Sequence, residues 1–279
     1  MSKMKICVEN FNKNNDPPIL SVITVVRNGV DILENTILSV ISQSYSNIEY
    51  LIIDGKSTDG TQDVIKKYEN KISFWTTEED KGIYDAMNKG IGNANGKFVN
   101  FLNAGDVFIN SGICKLFAEE MLKKDFNVIY GDVIAQSDMD KSEILVKAKP
   151  LNKIWTGMIF SHQSAFIKIS NLKETPFDLK FKIVADFNQI LSLYLNNKIF
   201  LYMPIAVSKV LIGGVSYSKP KTIIEKVKVI HAHKPYSLYI YNLIPPLILS
   251  AIRGLFGIRM TRKIRKYKWE YFKSKGIKL

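Results

Sequence analysis

Cysteine is nearly missing from this chain. Two in 279 residues, Cys7 and Cys114, are too few and too far apart for a disulfide framework or a thiolate metal site. They read as ordinary thiols in a reducing compartment. Histidine is almost as scarce, with three in all. His231 and His233 stand two apart without a convincing third ligand, which argues against zinc. Residues 1–15 hold no long apolar run, so no secretory signal is visible, and cytoplasmic synthesis and residence are expected. The most apolar stretch, Leu243–Ile252, is short and interrupted by Pro245 and Pro246, which argues against a transmembrane helix. The Gly-x-x-x-x-Gly-Lys-Ser/Thr phosphate loop and the Gly-x-Gly-x-x-Gly dinucleotide fingerprint are both absent. So are internal repeats, low-complexity tracts and any recognised nucleic-acid module, so no nucleic-acid partner is expected.

Acidic residues are also outnumbered, 26 against 39 Lys and Arg, for a net charge of +13. The excess is local. Between Arg253 and Leu279 there are ten basic residues and one acid, Glu270, so this stretch carries 10 − 1 = +9 of the total. An apolar element followed by Arg259, Arg262, Lys263, Arg265, Lys266 and Lys268 suits an anionic membrane surface. Trp269, Tyr271 and Phe272 add interfacial anchors. A solvated basic helix that packs on its own domain or mediates homo-oligomerisation is the alternative. A hydrophobic content of 46% supports a packed core. The expected organisation is an N-terminal extension (1–18), one α/β catalytic domain (19–215) and an amphipathic, basic C-terminal extension (216–279).

Strand and helix patterns alternate through the first hundred residues. Expected strands cover 19–26, 48–53, 72–75 and 98–102. Helices fall near 31–43, with Asp31 as its cap, 61–68 and 83–93. Such a succession predicts a mostly parallel sheet, whose ligands bind beyond the carboxyl ends of its strands. Beyond Asp106 the pattern becomes mixed. A helix is expected near 112–122, a strand at 128–130, short β segments over 132–148, another strand over 160–167 around His162 and Gln163, and a helix over 185–194.

Two acidic strand ends stand out. Asp54 follows Ile52 and Ile53, and Asp106 follows the run Phe98–Leu102 through Asn103, Ala104 and Gly105. At a strand end Asp54 can read a nucleobase or ribose, though Asp-Gly is also a common turn. Asp106 is the metal candidate, since Mg²⁺ and Mn²⁺ favour oxygen ligands and bridge a carboxylate to phosphates. A solvent-facing Asx turn is its structural alternative. Asn103 either adds an oxygen, contacts a sugar hydroxyl or holds the turn. Asp59 either binds donor or caps a helix. Asp80 and Lys81 precede a helix, where Lys81 either neutralises phosphate or is a surface lysine.

These segments together resemble the nucleotide-sugar-binding half of family 2 inverting glycosyltransferases with the GT-A fold. The resemblance is carried by 21–28, 53–61, 80–90 and 101–106, and extends less sharply to about residue 215. It is similar in particular to bacterial capsule, lipopolysaccharide and colanic-acid-type members. It implies a GT-A nucleotide-diphospho-sugar transferase fold: a central mostly parallel or mixed sheet, here with a C-terminal helical extension. It implies that Thr24, Asn28, Asp54, Asp80 and the Asp106 region line the donor pocket. The usual Asp-x-Asp is replaced by Asn103-Ala104-Gly105 followed by Asp106. Mn²⁺ or Mg²⁺ remains the expected cofactor. Asp186 matches the later acidic helix position and would act as base, with helix capping as its structural alternative. His162 and Gln163 resemble a local feature of the capsule members and would position acceptor or phosphates; His162 is otherwise a packed wall residue. In the same cleft Asp132 is an acceptor-binding candidate, and Trp155 either stacks on an acceptor sugar or packs in the core. The implied reaction is inverting sugar transfer from a nucleotide-sugar, here a UDP-sugar, to a lipid-linked or oligosaccharide acceptor, at the inner face of the plasma membrane. A nucleotidyltransferase and a non-catalytic nucleotide-sugar- or glycan-binding subunit are the rivals.

Overall fold

The computed structural model describes residues 6–7, 20–137, 141–212 and 220–233. The strands are β1 (Ile6–Cys7), β2 (Leu20–Val26), β3 (Ile48–Asp54), β4 (Phe74–Thr77), β5 (Phe98–Phe101), β6 (Val107–Phe108), β7 (Val128–Ser137), β8 (Glu143–Val146), β9 (Ala165–Lys168) and β10 (Phe200–Ile212). The helices are α1 (Val30–Ile41), α2 (Thr61–Lys67), α3 (Ile83–Asn93), α4 (Ile113–Lys123), α5 (Ile169–Glu174), α6 (Ala185–Leu195) and α7 (Pro220–His233).

Among the described residues the strands form one sheet in the order β1-β4-β3-β2-β5-β9-β7-β10-β6, with β8 paired to β7. The β4-β3-β2-β5 segment is parallel, and β9 runs antiparallel between β5 and β7. The parallel strands are buried on both faces, and their residues divide with period two. Ile23, Val25, Leu51 and Ile53 join Met87, Ile91, Phe187 and Leu191 in one core. Val22, Val26, Tyr50 and Ile52 join Leu33, Ile37, Ile65 and Phe117 in the other. Each large apolar side chain buried this way contributes about 1.5–3 kcal/mol. Two such cores hold the strand ends in place. The chain passes from β2 to β3 on one side and from β4 to β5 on the other, so the sheet reverses its winding beside β2. A ligand crevice is expected there.

Several local expectations are corrected. Asp31 does not cap α1. The N-cap is Gly29, and the Val30 N–H is satisfied by Asp59 Oδ2 at 3.1 Å. β4 begins two residues later than expected, because a 3-10 turn over Glu69–Lys71 uses up chain first. His162 and Gln163 lie on a 3-10 turn, His162–Ser164, immediately before β9 rather than within a strand. β10 has no counterpart in the sequence reading. It pairs parallel with β7 through register shifts between Tyr202 and Ala206 and between Ala206 and Ser208. Pro204, whose missing N–H interrupts a ladder, lies within the first shift. α7 packs on α6 and contributes Val229 and Ile230 to the first core. The expected boundary at 215 and the basic stretch 234–279 lie outside the described residues, as does the 1–18 extension apart from β1. Among the described residues no helix is long and apolar enough to cross a membrane.

Candidate active site

Asp54 closes β3 with no solvent exposure. One carboxylate oxygen accepts from Ser57 Oγ at 2.5 Å, and the other accepts from Thr77 Oγ1 at 2.6 Å. The Ser57 N–H adds a bond at 3.1 Å. The next residue is glycine for a local reason. A Cβ at Gly55 would stand 2.2 Å from Asp80 Oδ2 and 3.3 Å from Arg27 Cβ. Asp80 therefore lies directly over the end of β3, held by the Gly82 N–H on its other oxygen at 2.8 Å. Lys81 is exposed beside it. Asn28, in the left-handed region at φ 51°, accepts from the Thr58 N–H at 3.0 Å and ties the ends of β2 and β3 together. Asp59 is engaged as a cap: it accepts from the Thr61 N–H as well as from Val30. Thr24 is not brought to the cleft. Its hydroxyl is fully buried, donates to the Leu102 carbonyl at 2.7 Å and meets the Tyr50 hydroxyl at 3.1 Å.

The end of β5 forms a tight turn. Gly105 takes φ +92°, which favours glycine, and the Asp106 N–H returns to the Asn103 carbonyl at 3.0 Å. Asp106 is 7% exposed. Burial pushes its carboxyl up to about 6, against the opposing pull of the Gln163 amide, the His162 charge and the Leu211 backbone. Gln163 Nε2 donates to Asp106 Oδ2 at 2.9 Å.

The neighbouring residue, His162, faces the other carboxylate. Its Nδ1 lies 3.2 Å from Asp186 Oδ2, and its Nε2 lies 3.1 Å from Asn103 Nδ2. In its neutral form the ring accepts from Asn103 and donates to Asp186, and the charge it brings against the two carboxyls belongs to its protonated form. Asp186 sits in the first turn of α6, where the helix dipole favours an anion. Its other oxygen accepts from the Phe187 N–H at 2.8 Å and the Tyr84 hydroxyl at 3.0 Å. Burial raises the Asp186 carboxyl. The His162 bond and charge, the Phe187 N–H and the Tyr84 hydroxyl outweigh it and hold the group below the usual aspartate range. The side chain keeps 16% exposure, so it still reaches the cleft.

Asp132 is buried, and its Oδ1 accepts from the Ala148 N–H and the Tyr202 hydroxyl, both at 2.8 Å. Trp155 is half-buried and packs against the first core.

The structure thus gathers Asn103, Asp106, His162, Gln163 and Asp186 into one hydrogen-bonded group, with Asp54 and Asp80 at the adjacent strand end. Two supporting residues escaped sequence reasoning. Tyr84, within the 80–90 segment, holds Asp186 and the Ile183 carbonyl. Asn100 is fully buried in β5 and donates to the Gln163 and Ala165 carbonyls at 3.1 and 2.9 Å. An amide in the middle of an apolar strand was its available signal.

A family model described as glycosyl transferase family 2 matches residues 21–181. The chain belongs to glycosyl transferase family 2. An uncharacterized glycosyltransferase of Mycobacterium tuberculosis H37Rv is 33% identical over 176 residues, covering 61% of this chain and 66% of that protein, just under two thirds of its length. A putative teichuronic acid biosynthesis glycosyltransferase of Bacillus subtilis, TuaG, is 40% identical over 92 residues, covering 32% of this chain and 36% of that one. Among solved structures, S. aureus TarS 1–349 in complex with UDP superposes with TM-score 0.61 at 20% identity, covering 76% of this chain and 64% of TarS 1–349. The Pyrobaculum calidifontis mannosyltransferase PcManGT, in complex with GDP-Man and Mn²⁺, gives 0.59 at 14% identity, covering 92% and 81%. These likenesses establish the GT-A fold for this family 2 chain.

Proposed function

We propose that this family 2 chain transfers a sugar, with inversion, from a UDP-sugar to a hydroxyl of a lipid-linked or oligosaccharide acceptor in bacterial surface polysaccharide synthesis. The observation that carries the reading is the pair of contacts made by consecutive residues: His162 to Asp186 and Gln163 to Asp106. They set a carboxylate held below the usual range and a buried carboxylate raised above it on one cleft. A relative named for teichuronic acid synthesis and solved structures holding UDP or GDP-Man support the substrate class.

In this reading Asp54, Asp80, Asn28, Asp59 and Lys81 hold the nucleotide end. The donor set at the β5 turn fits a hard divalent cation. Asp106 is buried and reluctant to ionise unaided, and Asn103 Oδ1 is buried without a partner. No group of three or more His, Cys, Asp or Glu able to hold a metal occurs among the described residues, so the donor's phosphates would complete the shell. Mn²⁺ or Mg²⁺ bound there supplies positive charge to the diphosphate leaving group. Asp186 accepts the proton of the acceptor hydroxyl. His162 and Tyr84 orient it, and its lowered pKa keeps it ionised at neutral pH. The hydroxyl oxygen then attacks the anomeric carbon from the face opposite the diphosphate. The acceptor reaches this cleft from an anionic membrane surface, which residues 243–279 contact by their sequence chemistry.

The test is Asp186→Asn. UDP affinity by calorimetry should stay near wild type, while transfer across a donor and acceptor screen should fall by about 10²–10⁴. Near-normal transfer rejects Asp186 as base. Product NMR showing retained anomeric configuration rejects single displacement.

A further inference from the structure

α7 turns one face toward α6. Glu225, Val229 and His233 recur every fourth residue, so they lie one above another along the helix. Val229 is fully buried in the first core. The polar residues at the two ends of this stripe grip the start of α6. Glu225 accepts the backbone N–H groups of Lys182 and Ile183 at 3.1 and 2.9 Å, one on each carboxylate oxygen. His233 Nε2 lies 3.0 Å from Asn188 Oδ1. Asp186 stands between the two grips in the chain.

Lys182 and Ile183 precede the N-cap of α6, Val184, which makes no side-chain capping bond. N–H groups ahead of a helix have no partner inside it and must find one elsewhere. A carboxylate is a strong acceptor for such a pair. From the other side, the Tyr84 hydroxyl takes the Ile183 carbonyl at 2.8 Å, and the same hydroxyl meets Asp186 Oδ1 at 3.0 Å. The peptide leading into α6 is thus fixed between α3 and α7. One hydroxyl serves both Ile183 and Asp186, so a shift of Ile183 disturbs the contact to the carboxylate. α7 lies beyond residue 181, where the family match ends.

We propose that Glu225 is a positioning residue for Asp186. It anchors Lys182 and Ile183 and thereby fixes where the carboxylate stands on the cleft. It acts through the backbone and Tyr84, without touching substrate. This role rests on the reading of Asp186 as base, and the two fail differently. Near-normal transfer by Asp186→Asn ends the base reading. Normal transfer by Glu225→Ala beside an inactive Asp186→Asn ends the positioning role alone.

Amide hydrogen exchange on the full chain reads the anchor without any substrate. The Phe187 N–H reports on Asp186, because it donates to that carboxylate at 2.8 Å. Glu225→Ala should speed exchange at Lys182, Ile183 and Phe187 about tenfold or more. Glu225→Gln keeps one oxygen acceptor and should fall between, about threefold faster than wild type. Val229→Ala loosens the same helix without removing either Glu225 bond, and should leave Phe187 exchange near wild type. In transfer assays Glu225→Ala should lower kcat by about tenfold to a hundredfold and leave UDP affinity within about twofold. In an Asp186→Asn background it should cost almost nothing further, since it acts through that carboxylate. Unchanged Phe187 exchange in folded Glu225→Ala overturns the proposal, as does an equal loss of protection in Val229→Ala or a loss of UDP affinity as large as the loss of kcat. Should circular dichroism show Glu225→Ala unfolded, Glu225→Gln decides alone, and Phe187 exchange equal to wild type there overturns it.

Discussion

Replacing Asp106 with Asn should make the metal-free protein more stable at neutral pH while removing its response to Mn²⁺. The Asp106 carboxyl titrates at about 6 in the folded chain against a reference of 3.8. The folded state therefore binds this proton more tightly than the unfolded state. Stability contributed by the group rises as pH falls from above 6 to below 3.8, and the whole penalty is present above 6. The rise from 3.8 to about 6 corresponds to about 3 kcal/mol, since each tenfold change in proton affinity is worth about 1.36 kcal/mol. Asn is nearly isosteric and keeps an oxygen for the Gln163 amide, so Asp106→Asn should gain up to about 3 kcal/mol at pH 7.5 and roughly half of that at pH 5. For a domain of this size the shift in Tm is about 6–12 °C at most. Urea titrations of both proteins in EDTA at the two pH values measure the gain. In a second arm, Mn²⁺ with UDP should stabilise wild type by mass action and leave Asp106→Asn nearly unmoved. A variant no more stable than wild type at pH 7.5 refutes the burial argument, as does a gain equal at pH 5 and pH 7.5. Equal stabilisation of both proteins by Mn²⁺ refutes the ligand assignment.

Two other perturbations test the surroundings of that turn. His162→Ala removes the bond and charge that oppose burial at Asp186, so the acid limb of kcat/KM should move to higher pH. An unmoved limb in a folded variant would show that Asp186 does not depend on His162. Truncation before residue 243 should reduce flotation with phosphatidylglycerol vesicles, since each basic residue near an anionic surface contributes about 1 kcal/mol. Equal flotation of the two forms removes the proposed anchor.

The first half of the fold was legible because its signals are local. The largely apolar runs of β2 and β3, the second closed by Asp54, fall almost where expected, and the expected helix over 83–93 coincides with α3. The second half depends on pairing between distant residues. β9 inserts antiparallel between β5 and β7, and β10 follows β7 through an irregular register. Neither arrangement leaves a periodic trace in the chain. The acidic positions could be read from strand ends and a helix start, but their mutual contacts could not. His162 meets Asp186 across 24 residues, Gln163 meets Asp106 across 57, and Tyr84 meets Asp186 across 102. Thr24 carries a different lesson: a hydroxyl one turn of the pleat too deep in β2 is spent on Leu102 and Tyr50.

Adjacent side chains at 162 and 163 contact two different carboxylates, one the proposed proton acceptor and one the proposed cation ligand. Asn100 holds the Gln163 and Ala165 carbonyls and so pins the backbone just after the pair from inside the sheet. Adding or deleting a single residue in that turn would misdirect both at once. The two contacts therefore share one length of backbone and stand or fall together.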